Sequence, residues 1–191
     1  MPQPPDQPAT RVERFLAHLD AVSGGAEPTF TPVESTTPGQ PRVTAITYLG
    51  LPEPDLMVGI TYGLSLAEHA EWRHGTAELS VAVRSHDPAW SVAAAWLAEG
   101  LRGRCPFAYG DTLDLGEPVS AESGMDGFVV FAPLALGPDD ARIEVGDDHP
   151  VFVKGIYPTY RSERELVRTH GLEALWRRDW DPYDVTRPPV A

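Results

Sequence analysis

Cysteine is nearly absent: Cys105 is the only one in 191 residues, so no internal disulfide can staple the chain. Lysine is as scarce, with Lys154 alone among 15 basic residues. Positive charge is short altogether. Against 28 acidic residues it leaves a formal charge of -13, which repels phosphate backbones, excludes general nucleic-acid binding and favours a basic partner. The longest apolar runs, such as 128–132 and 91–97, fall far short of the ~20 residues that cross a bilayer. The start, Met1-Pro-Gln-Pro-Pro-Asp-Gln7, has neither the basic head nor the apolar stretch of an export signal, so the expected setting is the cytoplasm.

What is present suffices for a core. With 42% hydrophobic content, a chain of this length is expected to fold as one domain that buries ~70% of its unfolded surface. Residues 1–9 read as a disordered proline-rich lead, 10–178 as the domain, and 179–191 as an irregular tail whose aromatics dock on the body.

Within the domain, Thr10 can cap a helix with Val12, Phe15, Leu16, Leu19 and Val22 on one face, stopped by Ser23-Gly24-Gly25. Four prolines from Pro28 to Pro41 make the next stretch extended and irregular. Strands then start at Val43 and Leu56, joined by the turn-prone Gly50-Leu-Pro-Glu-Pro-Asp55 as a hairpin. In Glu78-Leu-Ser-Val-Ala-Val-Arg84 the apolar residues alternate with polar ones, which predicts a half-buried strand with one face to water or a partner.

Asp87-Pro88 opens a second helix with the stripe Trp90, Ala93, Ala94, Leu97 and Leu101, ending near Gly103. Further strands are expected at 128–132 and 151–157, with a short one near Ile143 between them. Ser162-Glu-Arg-Glu165 has capping-box spacing, and Gly171 is expected to split the helix that follows into two.

Catalytic patterns are thin. His69 and His74 are too far apart in register for the H-x3-H metal pair, and Cys105 has no CxxC partner. Gly63-Leu-Ser65-Leu-Ala67 lacks the second glycine of a nucleophile elbow, so Ser65 reads as a turn or cap hydroxyl. Arg102 and Arg104 are the only grounds for an activated Cys105 thiol. Asp111, Asp114, Glu117, Glu122 and Asp126 could in principle do acid–base work or bind calcium, but no D-x-[DN]-x-[DN]-G frame is present. A docking surface is the better reading of that loop, with carboxylates as acceptors and Phe107 and Tyr109 as apolar contacts.

Several islands in order resemble the suppressor-of-fused family: Thr61-Tyr-Gly-Leu-Ser65, Glu78-Leu79, Trp90 with its Ala/Leu helix, Phe107 with Gly110-Asp111, Ala132-Pro133, Gly155-Ile-Tyr-Pro158 and Gly171-Leu-Glu173. The resemblance covers roughly Val43 to Trp176. It implies an α+β domain with a mixed, mainly antiparallel sheet of about six or seven strands packed by helices. It implies no catalytic centre and no cofactor, and binding of a protein partner. Animal relatives hold an extended peptide between two domains; the family's peptide-binding aspartate matches Asp111, while its tyrosine on the preceding helix falls near Gly100, where this chain has no aromatic.

Bacterial single-domain members are regarded as immunity proteins, so the resemblance implies neutralisation of a toxin domain, a basic one by charge. On this reading Asp111 is an acceptor, Tyr109 and Phe107 are anchors, and Glu117, Glu122 and Asp126 are steering charges. Two rivals stay open: a small metal-dependent hydrolase using His69, His74 and the acidic loop, and a regulatory adaptor that dimerises through an uncovered sheet edge.

Overall fold

A computed structural model describes residues 9–191; all but the last residue of the expected disordered lead lies outside them. Helix α1 spans Arg11–Ser23, as its caps dictate. Glu13 N–H donates to Thr10 Oγ1, Thr10 N–H donates to Glu13 Oε2 at 2.7 Å, and Gly24 closes the helix at a φ of 66°. Phe15 and Leu19 face inward.

Strands β1 (Thr29–Pro32), β2 (Thr44–Leu49), β3 (Met57–Tyr62) and β4 (Thr76–Val83) run antiparallel in succession. A single 3-10 turn, Leu64–Leu66, lies between β3 and β4. Helix α2 is Ala89–Leu101, and Asp87 Oδ1 accepts the Ala89 N–H at 3.0 Å to open it. Then come β5 (Thr112–Asp114), β6 (Gly127–Phe131), β7 (Arg142–Ile143), β8 (Val151–Thr159), α3 (Arg161–His170) and α4 (Leu172–Trp176).

Among the described residues one mixed sheet of eight strands results, in the order β1-β2-β3-β4-β8-β6-β5 with β7 also on β8, and its only parallel pair there is β4 with β8. The fold is α+β, with a mainly antiparallel sheet packed by helices. The strands beyond six are the short β1 and β5, hidden in proline-rich and turn-rich sequence.

Two local expectations are corrected. Strand β4 is not half exposed: Glu78 is 0% and Ser80 6% exposed, because β4 is central and covered on both faces. Leu79, Val81 and Val83 pack with Trp90 and Ala94 of α2, while Ala82 joins Ile46, Val58, Ile60, Phe15 and Leu19 under α1. A polar residue at every second position marks a wet face only if no element covers it. Ser162 does not cap α3 either; the N-cap is Tyr160, two residues earlier, and Glu163 reaches back to accept the Tyr160 N–H at 3.0 Å.

A third cluster, Val129, Tyr157, Val167 and Leu175, lies under α3 and α4. Residues 177–191 form no helix or strand yet are pinned to the body. Val185 is in the core, and the Arg187 guanidinium meets the Glu163 carboxylate at 2.5 and 2.9 Å, with Trp180 stacked 4.5 Å from its centre.

Candidate protein-binding surface

The segment from Pro106 to Pro133 leaves α2 by a turn built on two unusual residues. Phe107 adopts a φ of 53°, which throws its side chain fully into the core beside Trp90 and Phe128. Gly110 follows at 95°, a conformation that disfavours a side chain. The Asp111 carboxylate closes the turn: Oδ2 accepts the Ala108 N–H at 2.7 Å, and the Cys105 thiol donates to it at 3.7 Å. Gly110 N–H and Val130 N–H, bonded to the Val130 and Asp111 carbonyls, tie the turn to β6.

That geometry pushes Tyr109 outward. It is 53% exposed, with its ring 5.2 Å from Phe131 and the Lys154 ammonium 4.9 Å above its centroid. Phe131 continues into Trp176 at 4.8 Å and Trp176 into Trp180 at 5.2 Å, so an aromatic ladder backs the exposed ring. Lys154 also lies 5.7 Å from the Phe152 ring, and among the described residues no carboxylate pairs with it. Burial pulls its pKa below the ordinary lysine value. Grooves flank this ridge, one of ≈ 230 Å³ lined by Trp72, His74 and Ala108, the other of ≈ 250 Å³ lined by Pro133, Leu136 and Ala141; both include Phe152 and Lys154.

The six residues singled out from sequence are therefore not one surface. Phe107 is core, because its left-handed backbone turns it inward, and cannot supply contact area. The bound Asp111 oxygen serves the turn. Glu122 accepts the Trp90 indole N–H at 2.8 Å and the Ser85 hydroxyl, and Asp126 accepts from Arg164 at 2.8 Å, so both carboxylates hold buried donors. Only Tyr109 and Glu117 point to solvent without a polar partner among the described residues.

Phe131, Phe152 and Lys154 were missed. The alternation Val-Phe-Val-Lys over 151–154, with the chain's sole lysine at its end, was the available signal: Val151 and Val153 are buried, and Phe152 and Lys154 are half-exposed.

The hydrolase residues do not assemble. His69 Nδ1 accepts the Glu71 N–H, His74 lines a groove, and among the described residues no three His, Cys, Asp or Glu side chains stand close enough to hold a metal ion. Arg102 is engaged by Glu99 and Arg104 by the Gly100 carbonyl, while burial and the neighbouring Asp111 push the Cys105 thiol above its ordinary pKa, the opposite of activation.

Two of the resemblance islands meet in a structural role. Thr61, Gly63 and Ser65 converge on Glu78, whose carboxylate accepts the two hydroxyls at 2.6 Å each and the Gly63 and Ser65 N–H groups at 2.7 and 3.0 Å. No hole remains beside Gly63, where a Cβ would come within 2.7 Å of the Arg42 carbonyl.

A mixed sheet covered by helices, with an exposed aromatic ridge, defines an α+β domain. The chain belongs to the Suppressor of fused protein (SUFU) family, whose sequence model matches residues 39–188. In structure it is similar to a putative SUFU homolog from Neisseria gonorrhoeae FA 1090, at 19% identity and a TM-score of 0.71 over 93% of this chain and 95% of that one. Drosophila Suppressor of Fused matches at 14% identity and a TM-score of 0.68, over 96% of this chain and 52% of its own. A chain in the crystal structure of the Sufu-Fu complex matches at 15% identity and a TM-score of 0.64, over 96% of this chain and 93% of its own. No curated protein matches the sequence. Among the described residues, no helix is long and apolar enough to cross a membrane.

Proposed function

We propose that the protein is a non-enzymatic binding domain of the cytoplasm that neutralises a toxin domain by direct contact, as an immunity protein. The observation that carries the binding reading is the Tyr109 ridge: an exposed aromatic, held rigid from below by Phe131 and from above by Lys154, between two grooves. Aromatic anchors of this kind dominate protein interfaces because they bury area at little cost in conformational freedom. The Sufu-Fu complex gives a similar fold in a structure named for a complex, which supports a protein as the ligand. The charge of -13 favours a basic partner by steering its approach.

The test is calorimetric titration with the toxin domain of a secreted protein encoded beside this chain. Tyr109→Ala is expected to weaken binding about tenfold or more at an unchanged melting temperature. Affinity within twofold of wild type for that variant removes Tyr109 as an anchor, and no binding by the wild type removes the immunity reading. One feature supports self-association instead: among the described residues β1 pairs on one side only, and it exposes Thr29, Phe30 and Pro32. Sedimentation of the protein alone separates the two, since a dimer would favour the adaptor.

A further inference from the structure

Beside β2 and β3 lies an apolar cleft that Tyr109 does not line, although it meets one of the Tyr109 grooves at Leu136. A groove of ≈ 220 Å³ lies between the end of α1, the β2–β3 hairpin and the segment after β6, lined by Val22, Tyr48, Leu51, Pro52 and Leu136. A second of ≈ 300 Å³, lined by Leu16, Pro28 and Phe30, shares Tyr48 with it. Large apolar side chains stand exposed along the cleft, Phe30 at 51% and Val22 at 37%. Exposed apolar side chains gathered on the walls of neighbouring grooves point to an interaction site.

Charge says what would cover it. No Lys or Arg lines either groove. Asp20 lines the second, Glu27 sits between its lining residues Ala26 and Pro28, and Asp139 and Asp140 follow Leu136 in the chain. Among the described residues none of these four carboxylates is in an ion pair. The last turn of α1 contains no basic residue, so no side-chain cation stands at its carbonyl end. Apolar walls with an acidic rim and no internal cation are complementary to one kind of ligand.

We propose that this cleft is a docking site for a segment of a partner protein that inserts a leucine- or phenylalanine-type side chain flanked by arginines or lysines. The proposal rests on the protein-binding reading and sharpens its basic partner to a sequence pattern: apolar anchor in the cleft beside Tyr48, cations over Asp20 and Glu27.

Fluorescence anisotropy on the full chain tests it with three labelled probe peptides, one alternating leucines and arginines on the two faces of a helix, one with glutamates replacing the arginines, and one with serines replacing the leucines. The leucine–arginine peptide is expected to bind, and the other two to bind at least about tenfold more weakly. Val22→Trp, which fills the cleft from an exposed position, and the double change Asp20→Asn with Glu27→Gln should each cost about tenfold. Ser23→Trp gives a second way to fill it should Val22→Trp melt early. Glu165→Gln, an exposed change on α3 that lines neither groove, should leave peptide binding unchanged. Equal binding of the serine–arginine peptide, or wild-type affinity in both filled variants, overturns the cleft. If the cleft fails while Tyr109→Ala still weakens the toxin domain, the wider binding reading survives.

Discussion

Glu163 and Arg187 form a two-pronged ion pair with almost no access to water, joining the first turn of α3 to a segment that has no secondary structure of its own. The same carboxylate accepts the Val190 N–H at 3.0 Å, and Tyr160 donates its hydroxyl to the Arg187 carbonyl at 2.7 Å. With Val185 in the core and the Tyr183 carbonyl bonded by the Arg84 N–H, this arginine makes the tail part of the folded body. Removing one partner strands a buried charge, at a cost of about 3–5 kcal/mol. Arg187→Ala should therefore lower the urea midpoint sharply, while the double change Glu163→Leu with Arg187→Met should recover much of that loss. A double variant as unstable as Arg187→Ala would show that the Glu163 carboxylate is required, for its ion pair or for the Tyr160 and Val190 N–H groups it accepts.

Glu78 is a buried carboxylate with hydroxyl and amide partners but no cation. Burial raises its pKa above the ordinary 4.5, against the lowering effect of its hydrogen bonds. The folded protein then holds this proton more tightly than the unfolded chain, so the stability linked to Glu78 falls as pH rises from about 4.5 through the raised value. Asp87 and Asp184 are held below their ordinary values by bonds from Ser120 and Thr186 and act in the other direction, so the comparison must be between wild type and Glu78→Gln. Chemical denaturation across pH should show wild type losing stability relative to Glu78→Gln as pH rises. A constant difference would mean that Glu78 does not titrate differently in the two states. Glu78→Ala should be destabilising at every pH, since the buried N–H groups of Gly63 and Ser65 lose their acceptor at about 1–3 kcal/mol each.

Legibility in the sequence followed how local the cause is. Helix α1 was readable to the residue because Thr10, Glu13 and Gly24 are all within its own ends. The β2–β3 hairpin was readable from its turn. Burial of Glu78 was not, because it depends on α2 and α1 covering both faces of a central strand from distant parts of the chain. The inward turn of Phe107 was hidden for another reason: a non-glycine residue at positive φ breaks the pattern by which neighbouring side chains are assigned to faces. Lys154 stands out in the sequence only by its scarcity; its place next to Tyr109 comes from the pairing of β8 with β6, 24 residues apart at Phe131 and Gly155.

Helix α2 lies so close on the sheet that a Cβ at Gly59 would sit 2.4 Å from Ser91 Cβ and 3.0 Å from its Cα. The Thr47 and Ser91 hydroxyls, 2.7 Å apart, bond across the same contact. Gly59→Ala must push the helix outward, and overpacking of this type costs about 1–3 kcal/mol. Gly100→Ala, on the same helix with open space around it, should be neutral or slightly stabilising. Thermal melts of the two variants check the contrast, and equal melting temperatures would mean that α2 can shift freely.

Asp111 can act on a partner in two ways, and one substitution separates them. If its charge touches the partner, Asp111→Asn should weaken binding as much as Asp111→Ala. If it works by closing the turn that presents Tyr109, the asparagine amide oxygen still accepts the Ala108 N–H and binding should hold, while alanine loses both the turn and affinity. The hydrogen bonds on both sides of Gly110 favour the second outcome. Phe107→Ala supplies the contrast: emptying a fully buried ring site should cost about 3–5 kcal/mol of stability. Its effect on binding should then disappear once affinities are corrected for the folded fraction, whereas that of Asp111→Ala should persist.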